Sequence, residues 1–124
     1  MRILIFLGAL SCLQVAPCVA APALPAPDVA LGKTLYESRC GACHSIQSNR
    51  VGPKHLGVVG RRAGSITDYD YSPALKRAKF IWTPQQIDKW LQGPGKLVRG
   101  TKMAFTVSKP EDRAAIIAYL KVAR

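Results

Sequence analysis

Sulfur-bearing and metal-binding side chains are few: 4 cysteines, 2 methionines and 2 histidines among 124 residues. Cys12 and Cys18 fall in an apolar start, which leaves Cys40 and Cys43 as the only thiols beyond it. No other cysteine is then available for a structural disulfide. A structural zinc site would want a second pair of ligands, and besides His44 only His55 is left to offer one. Strand patterning is also missing, since Gly57-Val58-Val59-Gly60 is too short and bounded by glycine. There is no internal repeat. Acidic residues are scarce, 7 against 18 basic ones, for a net charge of +11. Loss of residues 1–20 would remove only Arg2 from that balance. So basic a chain suits nucleic acid, anionic lipid or acidic protein surfaces.

The start reads as a signal peptide over residues 1–20. Arg2 is the charged region, Ile3 to Leu10 the apolar one, and Cys18-Val19-Ala20 supplies small residues for cleavage after Ala20. The apolar run sits at the lower limit for a membrane span, and Gln14 and Pro17 interrupt it. An uncleaved anchor is the competing reading. Residues 21–27, rich in Ala and Pro, are expected to be an extended linker. Residues 28–124 then form one small domain. Export argues against nucleic acid and leaves acidic proteins as the favoured partners. The start looks bacterial, so the expected location is the periplasm, with the mature chain outside the membrane and monomeric.

What the chain does contain is Cys40-Gly41-Ala42-Cys43-His44. This Cys-x-x-Cys-His run reads as c-type haem attachment. Each thiol can add to one of the two vinyl groups of a haem, and His44 follows directly where an imidazole nitrogen can bind the iron. The run occurs once, so one haem c per chain is expected. Met103 is the only methionine beyond Met1 and is the candidate for the opposite axial position. A His/Met pair marks electron-carrying cytochromes and raises their potential.

Three main helices can be read. The first is capped by Asp28 and runs to about Cys40, with Val29, Gly32, Leu35, Tyr36 and Cys40 on its apolar stripe. The second opens at Thr83-Pro84-Gln85-Gln86, a capping box with proline at the first position, buries Ile87, Trp90 and Leu91, and stops at Gly93-Pro94. The third opens at Ser108-Lys109-Pro110-Glu111, read as another capping box, and buries Ala115, Ile116, Tyr119, Leu120 and Val122. A short helical turn is expected from Ser72-Pro73 to about Ala78. Residues 45–71 and 93–107 are long loops, unusual in a small domain, and a rigid haem would give them a body to pack on.

In order, Gly32-Lys33-Thr34-Leu35-Tyr36, Cys40–His44, Val51-Gly52-Pro53, Gly57-Val58-Val59-Gly60-Arg61, Tyr71 to Trp82 and Gly100-Thr101-Lys102-Met103-Ala104-Phe105 resemble a class I cytochrome c. The likeness is to the mitochondrial cytochrome c and bacterial cytochrome c2 branch and covers nearly all of residues 29–123. It implies an all-α fold, three main helices and long loops around one covalent haem. It implies Cys40 and Cys43 as thioether residues and His44 and Met103 as axial ligands. Pro53 would accept from the other nitrogen of His44. Tyr71, Trp82 and Arg61 would serve a haem propionate. Trp90 stands where a tyrosine usually neighbours the methionine ligand.

The chain departs from that pattern at His55, where a leucine commonly packs on the haem, and at Leu75 and Arg99. The function implied is one-electron transfer without catalysis. The implied partners are a bc1-type donor and an oxidase, reaction centre or peroxidase as acceptor. Lys33, Lys54, Lys96, Arg99 and Lys102 read as a docking ring for acidic partners. The rival readings are a subunit tethered to a dehydrogenase or oxidase, and a haem peroxidase or gas sensor with an open sixth position.

Overall fold

The computed structural model describes residues 26–124. The expected signal peptide and most of the linker lie outside the described residues. Asp28 opens α1, Val29–Arg39, its carboxylate accepting from the amides of Ala30 and Leu31 at 2.8 and 3.1 Å. These N–H groups have no partner within the helix, so a side-chain acceptor supplies one. Four further helices follow: α2, Pro73–Arg77; α3, Pro84–Gln92; α4, Pro94–Leu97; and α5, Pro110–Val122. Among the described residues the only strand-like element is an isolated antiparallel bridge between Arg62 and Ile81. No described helix is long and apolar enough to cross a membrane.

The frame is the crossing of α1 over α5. At Gly32 the backbones come so close that a Cβ would stand 2.0 Å from the Ala115 carbonyl oxygen. That contact lets Tyr36 sink beside Tyr119, ring centroids 5.4 Å apart. Helix α3 lays Ile87, Trp90 and Leu91 into the same core, with Val107 and Ile116 almost fully enclosed. At the polar margin Asp112 meets Arg39 at 3.0 Å, and Asp88 meets Arg113 at 2.7 Å. Both pairs tie α5 to another helix.

Four expectations need correction. Ser108 does not cap α5: the N-cap is Lys109, with no side-chain bond to the helix. Residues before proline are pushed towards extended backbone, and Lys109 has ψ 123°. The guanidinium of Arg113 takes the carbonyls of Val107 and Ser108 at 3.0 and 2.8 Å, holding this entry without a capping serine. Only half of the box on α3 forms, because Thr83 accepts from the Gln86 amide while its own N–H goes to the Ile81 carbonyl. Gly93-Pro94 does not lead straight into loop, since Pro94 starts α4. Val29 and Val122 are exposed at the outer ends of their helices instead of facing the core.

Candidate haem-binding site

Between these elements lies a cavity of about 400 Å³. Cys40, Cys43 and His44 line it from the end of α1, and Met103 with Ala104 and Phe105 from the loop before α5. The two cysteines are thiols and unpaired. Burial pushes the Cys40 thiol up to about 11, with Arg39 opposing and Cys43 adding to the rise. Cys43 is exposed.

The His44 ring is fixed by what touches it. Its Nδ1 lies 2.8 Å from the Pro53 carbonyl oxygen. A carbonyl can only accept, so Nδ1 carries the proton and Nε2 keeps a free lone pair. Burial lowers the His44 pKa, while the bond to Pro53 works the other way. The Gly52 backbone closes on Cε1: a Cβ there would stand 2.1 Å from it. His55 stacks on the imidazole, centroids 4.1 Å apart and planes 20° from parallel. Burial holds His55 well below the usual histidine range, and the nearby His44 and Arg61 add to this. At neutral pH it is uncharged.

Met103 is presented by a loop that turns at Gly100, whose φ of +89° suits glycine. The Trp90 indole N–H donates to the Met103 sulfur at 3.1 Å. Trp90 is itself set by an edge contact with Trp82, centroids 5.1 Å apart. Lys102, beside the methionine, reaches the Asp70 carbonyl at 3.1 Å and its carboxylate at 3.3 Å, and Lys76 meets the same carboxylate at 2.8 Å. The methionine loop is thereby tied across to the loop before α2.

Arg61, Tyr71 and Trp82 line one wall together. Backbone bonds tie two of them together: Trp82 N–H donates to the Arg61 carbonyl at 2.8 Å, and Gly60 N–H to that of Trp82 at 2.9 Å. The Arg61 guanidinium is engaged with the chain itself, at 2.8 Å from the Leu56 carbonyl and 3.0 Å from that of Lys54. Burial raises the Tyr71 pKa, opposed by Arg61 and the Ile66 backbone.

The five basic residues read as a docking ring differ in their surroundings. Only Lys102 lines the cavity. Lys33 is paired with Glu37, and Lys54 with Asp68 at 3.2 Å. Lys96 and Arg99 have no salt-bridge partner among the described residues. Exposed pairs of this kind add little stability and stay free to exchange partners. Sequence reading passed over Arg39, a lining residue next to Cys40. Val51 and Phe105, named only within the segments of the resemblance, are lining residues that are 77% and 48% exposed. Position beside a motif residue was the one available signal for Arg39.

A helical fold that presents a Cys-x-x-Cys-His run, a methionine and an apolar cavity between them defines a c-type haem protein. The family model for cytochrome c matches residues 29–123, and the chain belongs to that family. It is 46% identical over 97 residues to cytochrome c of Euglena viridis, covering 76% of this chain and 95% of that protein. It is 45% identical over 100 residues to cytochrome c2 of Agrobacterium tumefaciens, covering 75% and 89%. Among solved structures it resembles cytochrome cH from Methylobacterium extorquens, with a TM-score of 0.72, 43% identity and coverage of 76% and 97%.

The chain is thus an electron-carrying haem protein with one covalently bound haem c. The residues present fit that group: two thiols on one wall, a histidine with a free Nε2 lone pair, a methionine, and a largely apolar lining.

Proposed function

We propose that this cytochrome c is a periplasmic one-electron carrier, with haem joined through Cys40 and Cys43 and ligated by His44 and Met103. The observation that carries this reading is the Trp90 N–H on the Met103 sulfur at 3.1 Å, in the cavity that His44 also lines. A methionine that merely filled space would have no use for a donor on its sulfur. When bound, haem c supplies a one-electron couple.

The chain's own residues do the rest. Pro53 keeps the His44 tautomer that leaves Nε2 free, and Trp90 holds the thioether in place. His44 and Met103 would together hold the haem iron and leave no open position for a substrate, which suits a carrier without catalysis. Apolar walls exclude water and disfavour the more highly charged oxidised state. Val51 and Phe105 give an exposed apolar contact at the cavity mouth, with Arg39 and Lys102 beside it. That mixture suits brief encounters with acidic redox partners, a bc1-type donor and an oxidase, reaction centre or peroxidase as acceptor. The basic charge raises association rates more than affinity, and salt should slow electron transfer. Residues 1–20 would direct export and be removed.

The test is the visible spectrum of the oxidised and reduced protein from the periplasmic fraction, with carbon monoxide added to the reduced form. The expected result is a c-type spectrum, the iron–sulfur charge-transfer band when oxidised, and no carbon monoxide adduct at neutral pH. A missing band with ready adduct formation would point to a peroxidase or gas sensor. A protein found only in membranes with its start intact would be a tethered subunit.

Trp90→Phe is a sharper probe of the same wall. It keeps a ring in the core and removes the donor. A thioether freed from its hydrogen bond gives more electron density to oxidised iron. The reduction potential should therefore fall, and the charge-transfer band should persist to higher pH. A redox titration and a pH titration of that band check both.

A further inference from the structure

We infer that His55 is a positioning residue that fixes the plane of the His44 imidazole, and that Tyr36 acts through it. This rests on His44 being the haem ligand, as proposed above. The Pro53 carbonyl holds one edge of the His44 ring, at Nδ1, but one hydrogen bond still permits the ring to rock about it. A ring stacked at 4.1 Å and 20° opposes that motion, because tilting either ring closes the gap on one side.

The stack has a built seat. His55 N–H donates to the Ser45 carbonyl at 2.9 Å, and Leu56 N–H to that of Ile46 at 2.8 Å. The His55 segment is therefore paired with the residues directly after His44. The Arg61 guanidinium takes the carbonyls on either side, Lys54 and Leu56. His55 Nδ1 lies 3.1 Å from the Tyr36 hydroxyl, with the two rings edge to face at 5.7 Å. Tyr36 in turn packs on Tyr119 of α5. A run of four rings, His44, His55, Tyr36 and Tyr119, thus links the proximal ligand to the crossing of α1 and α5. A leucine at 55 would fill space but accept nothing from Tyr36, leaving the ring seat to shape alone.

The plane of an axial imidazole, together with the orientation of the opposite ligand, would set which porphyrin positions carry unpaired spin in the oxidised state. The test is therefore the proton NMR spectrum of the oxidised holoprotein, in which the haem methyl resonances are spread by that spin. His55→Leu should retain attached haem and the charge-transfer band while changing the spacing of the methyl resonances. Tyr36→Phe, which loses only an oxygen, should shift them the same way by less. The double variant should match His55→Leu alone, since Tyr36 acts through His55. An unchanged pattern in His55→Leu, or shifts that simply add in the double variant, would overturn the proposal. If His55→Leu yields no folded holoprotein, an unchanged pattern in Tyr36→Phe overturns it and a shift sustains it. Absence of the charge-transfer band in the unsubstituted protein would instead remove the His/Met reading beneath it.

Discussion

Met103→Ala should leave haem attached through Cys40 and Cys43 but open the sixth position to carbon monoxide. Alanine has no donor atom, and no other methionine occurs among the described residues. His55 cannot take the place, because it is stacked on His44 and hydrogen-bonded to Tyr36. Lys102 is adjacent, but its Nζ is held by the Asp70 carbonyl and carboxylate. The variant should lose the charge-transfer band and form a carbon monoxide adduct when reduced. Its potential should fall, since the thioether is the ligand that favours the reduced state. Axial ligands span about 0.8 V across haem proteins, so a drop on the order of 0.1 V or more is expected from this exchange. Optical and redox titrations measure all three. A variant that kept the band and excluded carbon monoxide would remove Met103 from the ligand set.

Gly32→Ala is the second large effect, and its sign separates two explanations. Alanine is the better helix former by about 1 kcal/mol, so on an isolated helix the change would stabilise. Here the added Cβ would lie 2.0 Å from the Ala115 oxygen, 2.6 Å from its carbonyl carbon and 3.0 Å from the Tyr119 Cβ. The first two atoms are α5 backbone and cannot swing aside. Overpacking costs about 1–3 kcal/mol where side chains can adjust, and backbone contact belongs at the top of that range. A net loss of about 2 kcal/mol is expected after the propensity gain. For a domain of this size that lowers Tm by roughly 8–16 °C. Thermal denaturation of the oxidised holoprotein checks it, and an unchanged or raised Tm would mean that α1 and α5 need no such close approach.

Local chemistry was readable because it acts over a few residues. Asp28 and Thr83 could be named as caps because a cap serves amides two or three positions away. The haem run was readable for the same reason, as five consecutive residues hold both thiols and an imidazole. Ser108 failed as a cap because Lys109, extended before Pro110, became the N-cap, while Arg113 holds the Val107 and Ser108 carbonyls from within α5. His55 could be seen as a departure, but not as a stack. Exchanging the order of a histidine and a leucine at 55 and 56 leaves composition unchanged and decides which one meets His44.

By itself, then, the sequence determined the starts of α1, α2 and α3, the Cys-x-x-Cys-His run and the single available methionine. These follow from spacing, capping and elimination within the chain. Only the tertiary structure decided what surrounds the ligands. Tyr36 meets His55 and Trp90 meets Met103 across gaps of 19 and 13 residues, and Lys102 meets Asp70 across 32. The same holds for the pairing of Lys54 with Asp68 and of Lys102 with Asp70, while Lys96 and Arg99 have no salt-bridge partner among the described residues. Such contacts depend on where the packing of α1 on α5, and the loops closing around one cavity, place each side chain. No local rule carries that information, because the groups that meet are neighbours only after the chain has folded.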